Sequence, residues 1–356
     1  MSAAPNPSGS TMYDRIFQFN KSRPSKIVIR SGLESSLDDY LVSEERDGLF
    51  LVHDPAVQSI ADRLAKTLPI TAAIPFSGGE PAKRMTAIIA MTEQMLEAGA
   101  TRHSMILGLG GGVTTDVAAF LAAIYMRGVP CALLPTSLLA MVDASLGGKN
   151  GVDLGVHKNV MGTIHQPDFV LCDPDWLDTL PEDEFRTGLA EVVKKAAMLD
   201  EHRFEWLEQN ADAINQRDKK ICEEMIVFSA ALKMGVVIDD EGEAWRRMLL
   251  NFGHTVGHAY EGLSKFEISH GQAVAMGMLV ECEAAQSNAG DRIRDLLRTF
   301  GLPTERPSKF KVDDVWELMR SDKKVRAGEI HIAVPKTLGR GRVQTLTKKE
   351  FLAAHE

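Results

Sequence analysis

The stretch GLGGGVTTD, residues 108–116, decides the fold of this chain. An apolar segment at residues 104–107 (SMIL) precedes it, and a helix-like run at residues 113–123 follows it. Backbone amides and a helix N-terminus converge at such a strand-to-helix turn, where they can bind a pyrophosphate. The strict GxGxxG fingerprint is not met, because Val113 stands where its third glycine would be. A glycine-rich turn between a strand and a helix is more often only a tight connection than a nucleotide site. The surrounding residues therefore have to show whether this turn binds a dinucleotide.

Short apolar runs alternate with helical patterns on both sides of this turn. Residues 26–30 (KIVIR), 48–53 (GLFLVH) and 131–134 (CALL) read as strands, and residues 57–68 and 84–98 have helical spacing. This alternation predicts an α/β fold with a mostly parallel, Rossmann-like sheet. Asp54 follows the second of these strands, where a ribose-binding acid is expected. An equally good interpretation is that Asp54 is only a cap before Pro55.

The pattern changes after Asp173. Helical spacing of apolar residues covers residues 185–198, 203–211, 219–237, 248–263 and 272–288, and a weaker strand pattern returns at 329–334. We therefore predict an α/β domain over residues 25–172 and an all-α domain over residues 173–356. Residues 1–24 are rich in Ser, Pro and Asn, lack the apolar core of a signal peptide, and are predicted to form a flexible extension.

Composition narrows the function classes. The 356 residues carry a formal net charge of -9 with no basic block, which argues against a nucleic-acid surface. No apolar run reaches membrane-spanning length, so a cytoplasmic enzyme without a membrane partner is expected. Four cysteines are too widely spaced for a CxxC metal site and are expected to be reduced and buried: Cys131, Cys172, Cys222 and Cys282.

The helical half contains the segments NFGHTVGHAYEG (251–262) and SHGQAVAMGM (269–278). His254 and His258 are four residues apart and share one helix face, as two zinc-binding imidazoles would, and His270 starts the next helix. HxxxH alone is a weak signal that packed or surface histidines also produce. Glu191, in GLAEVVKKA, offers an oxygen ligand from another helix.

Basic residues surround the same segments. Lys149 lies in the small, apolar SLGGKNG and Lys233 in AALKMGVV, where an unpaired ammonium is costly to bury. Anion binding explains both. A cleft with cations, a metal and a dinucleotide turn points to redox chemistry on a phosphorylated sugar.

Several motifs in order carry a resemblance to a known family. They are GGGVTTDVAAFLAAIYMRG, LLPTSLLAMVDASLGGKNGVDLGVHKNVMGTIHQP, GLAEVVK, LLNFGHTVGHA, SHGQAVAMGM and DKKVRAG. Over residues 27–342 the chain resembles 3-dehydroquinate synthase and the wider sugar phosphate cyclase family. The resemblance implies an active site in the cleft between the two domains, with NAD as cofactor and Zn²⁺ or Co²⁺ bound there. It also implies a phosphorylated sugar-acid substrate and a homodimer.

The resemblance also implies roles for individual residues. It makes Glu191, His254 and His270 the metal ligands, so that His258 contacts substrate instead. The implied catalytic residues are Asp143, Lys149, Lys194, Lys233 and His258. The implied substrate-binding residues are Arg127 (reaching across the dimer), Lys158, Asn159, Arg247, Asn251, Lys323 and Lys324. The implied cofactor-binding residues are Asp54, Glu80, Lys83, Gly111, Gly112, Asp116, Thr136, Ser137, Lys158 and Thr179.

The implied reaction converts 3-deoxy-D-arabino-heptulosonate 7-phosphate to 3-dehydroquinate and phosphate in the shikimate pathway of aromatic amino acid biosynthesis, by transient oxidation, phosphate elimination, reduction and aldol closure. Departures from the family pattern occur at Thr115, Asn150, Asp153, His157 and Gln272. They keep open a specialised cyclase that makes an amino analogue or a C7 cyclitol from sedoheptulose 7-phosphate. A metal-dependent NAD alcohol dehydrogenase is a further alternative, but it would release NADH. A non-catalytic relative is disfavoured because every implied metal ligand is present.

Overall fold

A computed structural model of the chain describes residues 13–77, 79–155, 157–242, 245–320 and 329–354. Its strands are β1 (Tyr13–Phe17), β2 (Ser25–Ile29), β3 (Leu49–His53), β4 (Ile70–Pro75), β5 (Met105–Gly110), β6 (Cys131–Pro135), β7 (Lys149–Leu154), β8 (His157–Ile164), β9 (Phe169–Cys172), β10 (Ile330–Thr337) and β11 (Arg340–Leu346). Its helices are α1 (Asp38–Leu41), α2 (Gln58–Thr67), α3 (Gly79–Ala82), α4 (Met85–Glu97), α5 (Gly112–Ile124), α6 (Glu182–Leu199), α7 (Glu201–Gln209), α8 (Ala211–Asn215), α9 (Lys219–Asp239), α10 (His254–Leu263), α11 (His270–Ala284), α12 (Gly290–Thr299), α13 (Val312–Arg320) and α14 (Lys348–Ala353).

The first half contains a seven-stranded sheet in the order β1-β2-β9-β6-β5-β3-β4. All neighbouring pairs are parallel except β1 with β2. Strand β5 is buried along its whole length because α5 packs over it. Gly108 permits this close packing, since a Cβ there would lie 2.6 Å from the Cβ of Ala118. The predicted parallel α/β sheet is confirmed.

The order of the sheet reverses at β3, whose neighbours are β4 on one side and β5 on the other. In open α/β sheets, ligands bind outside the carboxyl ends of the strands at such a switch point. Asp54 follows β3 and the glycine turn follows β5, and the Asp54 N–H donates to the carbonyl of Leu109 at 3.0 Å. The fold therefore brings these two sequence-predicted features together.

The second half is mainly helical, with α6 and α11 buried on nearly all sides. The prediction of an all-α domain is wrong at its C-terminal end, because β10 and β11 pair as an antiparallel hairpin. The helix predicted over 248–263 is also interrupted: a 3₁₀ turn, Arg246–Asn251, ends before α10 starts at His254. Gly253 between them has a φ of 76°, a left-handed conformation that ends the preceding turn.

Two further differences concern the first half. The flexible extension predicted over residues 1–24 is wrong for residues 13–17, since β1 pairs with β2 and its Tyr13 and Phe17 pack against the core. Strands β7 and β8 form an antiparallel hairpin that was not predicted. The four cysteines are buried and free, as expected. Within the described ranges, no helix is both long enough and apolar enough to cross a membrane.

Candidate active site

The glycine turn is closed by residues that follow the neighbouring strands. Gly111 is the N-cap residue of α5 and Gly112 its first residue. Thr136 and Ser137 follow β6 and are buried, and the Thr136 N–H donates to the carbonyl of Gly110 at 2.9 Å. The Asp54 carboxylate accepts from the N–H of Ala56 at 2.9 Å, which confirms the capping interpretation. The ribose contact of Asp54 stays a prediction.

A polar cluster joins α5 to the β7–β8 hairpin. Lys83 is buried and donates to Asp116 Oδ2 at 2.6 Å and to Asn159 Oδ1 at 2.7 Å. Nearby, Lys158 Nζ lies 3.3 Å from Glu80 Oε1. Five residues that were predicted to bind ligands therefore form two groups: Lys83 contacts Asp116 and Asn159, and Lys158 contacts Glu80. Thr179 is exposed at the end of a separate 3₁₀ helix, Pro174–Thr179, in the segment that leads into α6.

Glu191, His254 and His270 converge on one point. Glu191 Oε1 lies 3.3 Å from His270 Nε2 and 3.5 Å from His254 Nε2, and Glu191 is fully buried. The other ring nitrogens face acceptors: His254 Nδ1 lies 3.1 Å from the carbonyl of Phe252, and His270 Nδ1 lies 3.3 Å from Glu261 Oε1. With Nδ1 of each ring protonated, both Nε2 lone pairs point toward the Glu191 carboxylate. These are the O and N donors that a catalytic zinc takes.

The electrostatics of this cluster fit a cation. No described donor hydrogen-bonds to either oxygen of Glu191, although Lys194 forms an ion pair with it. Burial alone would raise the pKa of Glu191, but the charges of Lys194 and His270 hold that pKa below its usual range. Burial also opposes the charged form of His270, yet the carboxylates of Glu191 and Glu261 raise its pKa to about 9. A metal ion between the three side chains would replace that proton.

Glycine contacts fix the distance between the two ligand-bearing helices. Helices α10 and α11 cross so closely that a Cβ on Gly277 would lie 2.1 Å from the carbonyl oxygen of Gly253. Glu281, fully buried on α11, accepts from the N–H groups of Gly253 at 2.7 Å and Val256 at 3.1 Å. Its carboxylate therefore satisfies the N-terminus of α10, next to His254.

Glu281→Ala is expected to lower the free energy of unfolding by about 2–3 kcal/mol, because it removes a charged acceptor from two buried N–H groups. Urea unfolding of the metal-free protein measures this. Glu283→Ala, on the same helix but exposed, is the matched control and is expected to cost under about 1 kcal/mol. Equal costs for the two variants would contradict the capping role of Glu281.

Buried lysines surround Asp143 next to the same cluster. Lys233 Nζ lies 3.0 Å from Asp143 Oδ1 and donates to the Asp143 carbonyl at 2.7 Å, and Lys195 Nζ lies 3.6 Å from Asp143 Oδ1. Burial would raise the pKa of Asp143, but the charges of Lys233 and Lys195 hold it below its usual range. Burial lowers the pKa of Lys195 to about 8 and also lowers that of Lys233. With Lys194, three lysines crowd two carboxylates, which favours an anionic ligand.

A cavity of about 750 Å³ opens between the β7–β8 hairpin and α10, with His254 in its wall. The predicted residues that line it are Asp116, Lys149, Lys158, Asn159, Asn251, His254 and His258. The structure thus places predicted catalytic, substrate-binding and cofactor-binding residues around one space.

The remaining predicted substrate-binding residues are Arg127, Arg247, Lys323 and Lys324. Lys323 and Lys324 lie outside the described residues. Arg127 is exposed in a turn beyond the C-terminus of α5. Since α5 has 13 residues, that turn lies about 20 Å from the glycine turn. Arg247 is buried and donates to the carbonyls of Gly147 and Glu241, each at 3.1 Å.

Sequence reasoning missed Lys195, Glu261 and Glu281. Glu261 lies in the quoted NFGHTVGHAYEG segment, three residues after His258, so helical spacing could have placed it beside that histidine. Lys195 directly follows Lys194 and is fully buried, which the sequence does not indicate. Glu281 acts on a residue 28 positions away, which only the tertiary structure reveals.

Fold and site together define a class. A glycine turn at the switch point of a parallel sheet faces a carboxylate–imidazole cluster and buried cations, as in metal-dependent enzymes that act on anionic substrates next to a phosphate-binding turn.

Comparisons with known proteins narrow that class. Residues 73–187 match the family model described as 3-dehydroquinate synthase N-terminal, and residues 188–325 match 3-dehydroquinate synthase C-terminal. A 3-dehydroquinate synthase of Saccharolobus solfataricus is 39% identical over 293 residues, which cover 79% of this chain and 82% of that protein. The chain belongs to the 3-dehydroquinate synthase family, and it is a carbon–oxygen lyase.

Solved structures show the same fold. A 2-deoxy-scyllo-inosose synthase in complex with carbaglucose-6-phosphate, NAD⁺ and Co²⁺ superposes with a TM-score of 0.87 at 25% identity, covering 96% of this chain and 99% of the other. A 2-epi-5-epi-valiolone synthase from Streptomyces hygroscopicus subsp. jinggangensis, with NAD⁺ and Zn²⁺ bound, has a TM-score of 0.85 at 26% identity, covering 96% and 98%. These two structural neighbours are therefore synthases with different products.

Proposed function

We propose that this enzyme converts 3-deoxy-D-arabino-heptulosonate 7-phosphate to 3-dehydroquinate and phosphate, with NAD and a divalent cation as cofactors. The observation that carries the proposal is the Glu191–His254–His270 cluster beside three buried lysines, since it combines a metal site with positive charge for an anionic substrate. The named relative above, at 39% identity, supports this reaction over those of the cyclases that are 25–26% identical. The proposed division at residue 172 assigns NAD to the first half and the metal to the second.

The departures from the family pattern are compatible with this substrate, because most of them have local structural roles. Thr115 Oγ1 donates to the carbonyls of Gly111 and Gly112, and Asn150 Oδ1 accepts from Thr163. The Asp153 carboxylate accepts from the N–H of Asn159 at 2.7 Å. Gln272 completes a capping box with Ser269 at the start of α11. His157 alone of the five is an exposed residue at the cavity wall.

Two sets of residues would hold the two cofactors, and each set has one member in the cavity wall: His254 for the cation and Asp116 for the dinucleotide. Glu191, His254 and His270 fit the cation, and the glycine turn with Thr136, Ser137 and Asp116 fits the dinucleotide. When bound, NAD takes up and returns a hydride, and the cation supplies Lewis acidity toward substrate hydroxyls.

The chain's own residues would bind and orient the substrate between them. Lys149, Lys158 and Lys194 provide ammonium groups for the phosphate and stabilise the charge that develops as it leaves. Lys233 and Lys195 hold Asp143 ionised at the inner end of the site. His258 lies at the cavity wall, where it can exchange a proton with a substrate hydroxyl.

NAD should act catalytically in this reaction. With one equivalent of NAD per site and excess heptulosonate 7-phosphate, we expect many equivalents of phosphate to be released, because each hydride that is removed is returned. Phosphate assay and product mass spectrometry measure this, with sedoheptulose 7-phosphate as the comparison substrate. Stoichiometric accumulation of NADH would instead indicate a dehydrogenase, and turnover of sedoheptulose 7-phosphate alone a C7 cyclitol synthase.

We further propose that the enzyme works as a homodimer in which Arg127 serves the partner's phosphate site. Arg127 lies at the far end of α5 from its own glycine turn, as described above. Ile124 and Met126 beside it are 41% and 43% exposed, and apolar side chains at that exposure suit a subunit contact. Met126 and Arg127 both have positive φ, 46° and 68°, which is a strained conformation for residues other than glycine.

Mixing Arg127→Ala with Lys194→Ala is expected to restore activity that neither variant has alone. In a mixed dimer, one site receives intact Lys194 from its own chain and intact Arg127 from the partner. Activity per heterodimer is measured after subunit exchange, which mass spectrometry confirms. Subunit exchange without recovered activity would contradict a shared site. As a control, mixing Lys194→Ala with Glu191→Gln should give no recovery, because both residues serve the site of their own chain.

A further inference from the structure

We propose that Glu261 is a positioning residue that orients His270 and strengthens it as a metal ligand. The inference rests on the metal site of the proposed function and extends it to a carboxylate outside the ligand set. Glu261 is buried at the inner face of α10, with 4% of its surface exposed.

The two nitrogens of His270 face two different carboxylates. Nε2 lies 3.3 Å from Glu191 Oε1, and Nδ1 lies 3.3 Å from Glu261 Oε1. A carboxylate that accepts from Nδ1–H fixes the tautomer and makes the opposite nitrogen a stronger donor. At His254, the Nδ1 atom lies 3.1 Å from the carbonyl of Phe252, which is a neutral acceptor.

Side chains on the hairpin and on its own helix face the Glu261 carboxylate. Lys158 Nζ on β8 lies 3.8 Å from Glu261 Oε1, and His258 Nε2 lies 4.0 Å from Oε2. Glu261 therefore links His270, on the metal side of the cavity, to the β7–β8 hairpin.

The alternative is that Glu261 is itself a ligand. His258, Glu261 and His270 also form a group of donors close enough for an ion. That group would use His270 Nδ1, whereas the Nε2 atoms of both His254 and His270 point to Glu191. His254 Nε2 and His270 Nε2 both approach Oε1 of Glu191. His258 Nε2, in contrast, lies 4.0 Å from Oε2 of Glu261. An orienting role uses all of these contacts without a second ion.

The affinity of the metal-free protein for Co²⁺ tests the proposal. The cation is titrated against a competing chelator and followed by its visible absorption. Glu261→Gln keeps a hydrogen-bond acceptor but removes the charge, and is expected to weaken binding about 10-fold; Glu261→Leu removes both, and is expected to weaken it about 100-fold. Glu267→Gln, exposed in the loop that follows α10, is the matched control and should stay within about 2-fold.

The outcomes separate this proposal from the one on which it rests. A wild-type chain that binds no Co²⁺ would overturn the metal site itself. If wild type binds and both Glu261 variants bind equally well, the positioning role is wrong. If Glu261→Gln loses binding as completely as Glu191→Gln, with the Co²⁺ absorption abolished, Glu261 is a ligand and the proposal is again overturned. Thermal unfolding of each metal-free variant shows whether a loss of affinity comes from misfolding, and Glu261→Asp, which keeps the charge, should bind more tightly than Glu261→Leu.

Discussion

Glu191→Gln is expected to lower kcat/KM by about 10³-fold and to abolish tight binding of the divalent cation. The side chain is fully buried, its Oε1 faces both imidazole Nε2 atoms, and Lys194 balances its charge. Glutamine keeps the volume but removes the negative charge that a dication needs. Lewis-acid stabilisation of several kcal/mol would be lost, and ~4 kcal/mol corresponds to about 10³-fold in rate.

The measurement combines metal content with steady-state kinetics on heptulosonate 7-phosphate. Glu184→Gln, exposed in the first turn of the same helix α6, is the matched control and should leave both quantities unchanged. Full metal content and activity in Glu191→Gln would show that the cation site lies elsewhere. His254→Ala should behave like Glu191→Gln, because it removes a nitrogen from the same point.

Much of the first half could be predicted from sequence, for reasons visible in the sheet. Strands β3, β5 and β6 are continuous apolar runs, because parallel strands are buried on both faces. Strand β8 could not be found in this way: six of its eight residues are exposed, so it shows no apolar pattern. Strand β1 was missed because it is short and lies at the edge of the sheet, next to a stretch rich in Ser, Pro and Asn.

The site shows a different limit. Spacing paired His254 with His258, since both lie on one face of α10, and offered His270 as a further candidate. Only the family resemblance removed His258 from the ligand set. The structure supplies the reason: α11 crosses α10 at Gly253 and Gly277, so His270 Nε2 and His254 Nε2 meet at Glu191. Close crossing of two helices and the burial of Lys195 are tertiary properties that no single segment encodes.

Arg247 shows how the structure changes an argument made from sequence. The resemblance makes Arg247 a substrate-binding residue, and a guanidinium suits the carboxylate of a sugar-acid substrate. In the structure the guanidinium of Arg247 donates to the carbonyls of Gly147 and Glu241. The backbone N–H of Arg247 donates to Asp240 Oδ2 at 3.0 Å. Arg247 therefore also supports the backbone just before Lys149. A test of carboxylate binding has to separate that support from recognition of the substrate.

The ratio of two substrates makes this separation. Arg247→Leu is expected to reduce kcat/KM for heptulosonate 7-phosphate about 10- to 150-fold more than for sedoheptulose 7-phosphate, which carries a hydroxymethyl group where the first carries a carboxylate. This range corresponds to the ~1.5–3 kcal/mol of one charge-assisted contact. Damage to the backbone near Gly147 should lower both values together and cancel in the ratio. Arg246→Leu, whose side chain is 41% exposed and paired with Asp239, is the control and should leave the ratio unchanged. Equal losses on both substrates would limit Arg247 to backbone support, and faster turnover of sedoheptulose 7-phosphate by the wild-type enzyme would contradict the proposed substrate.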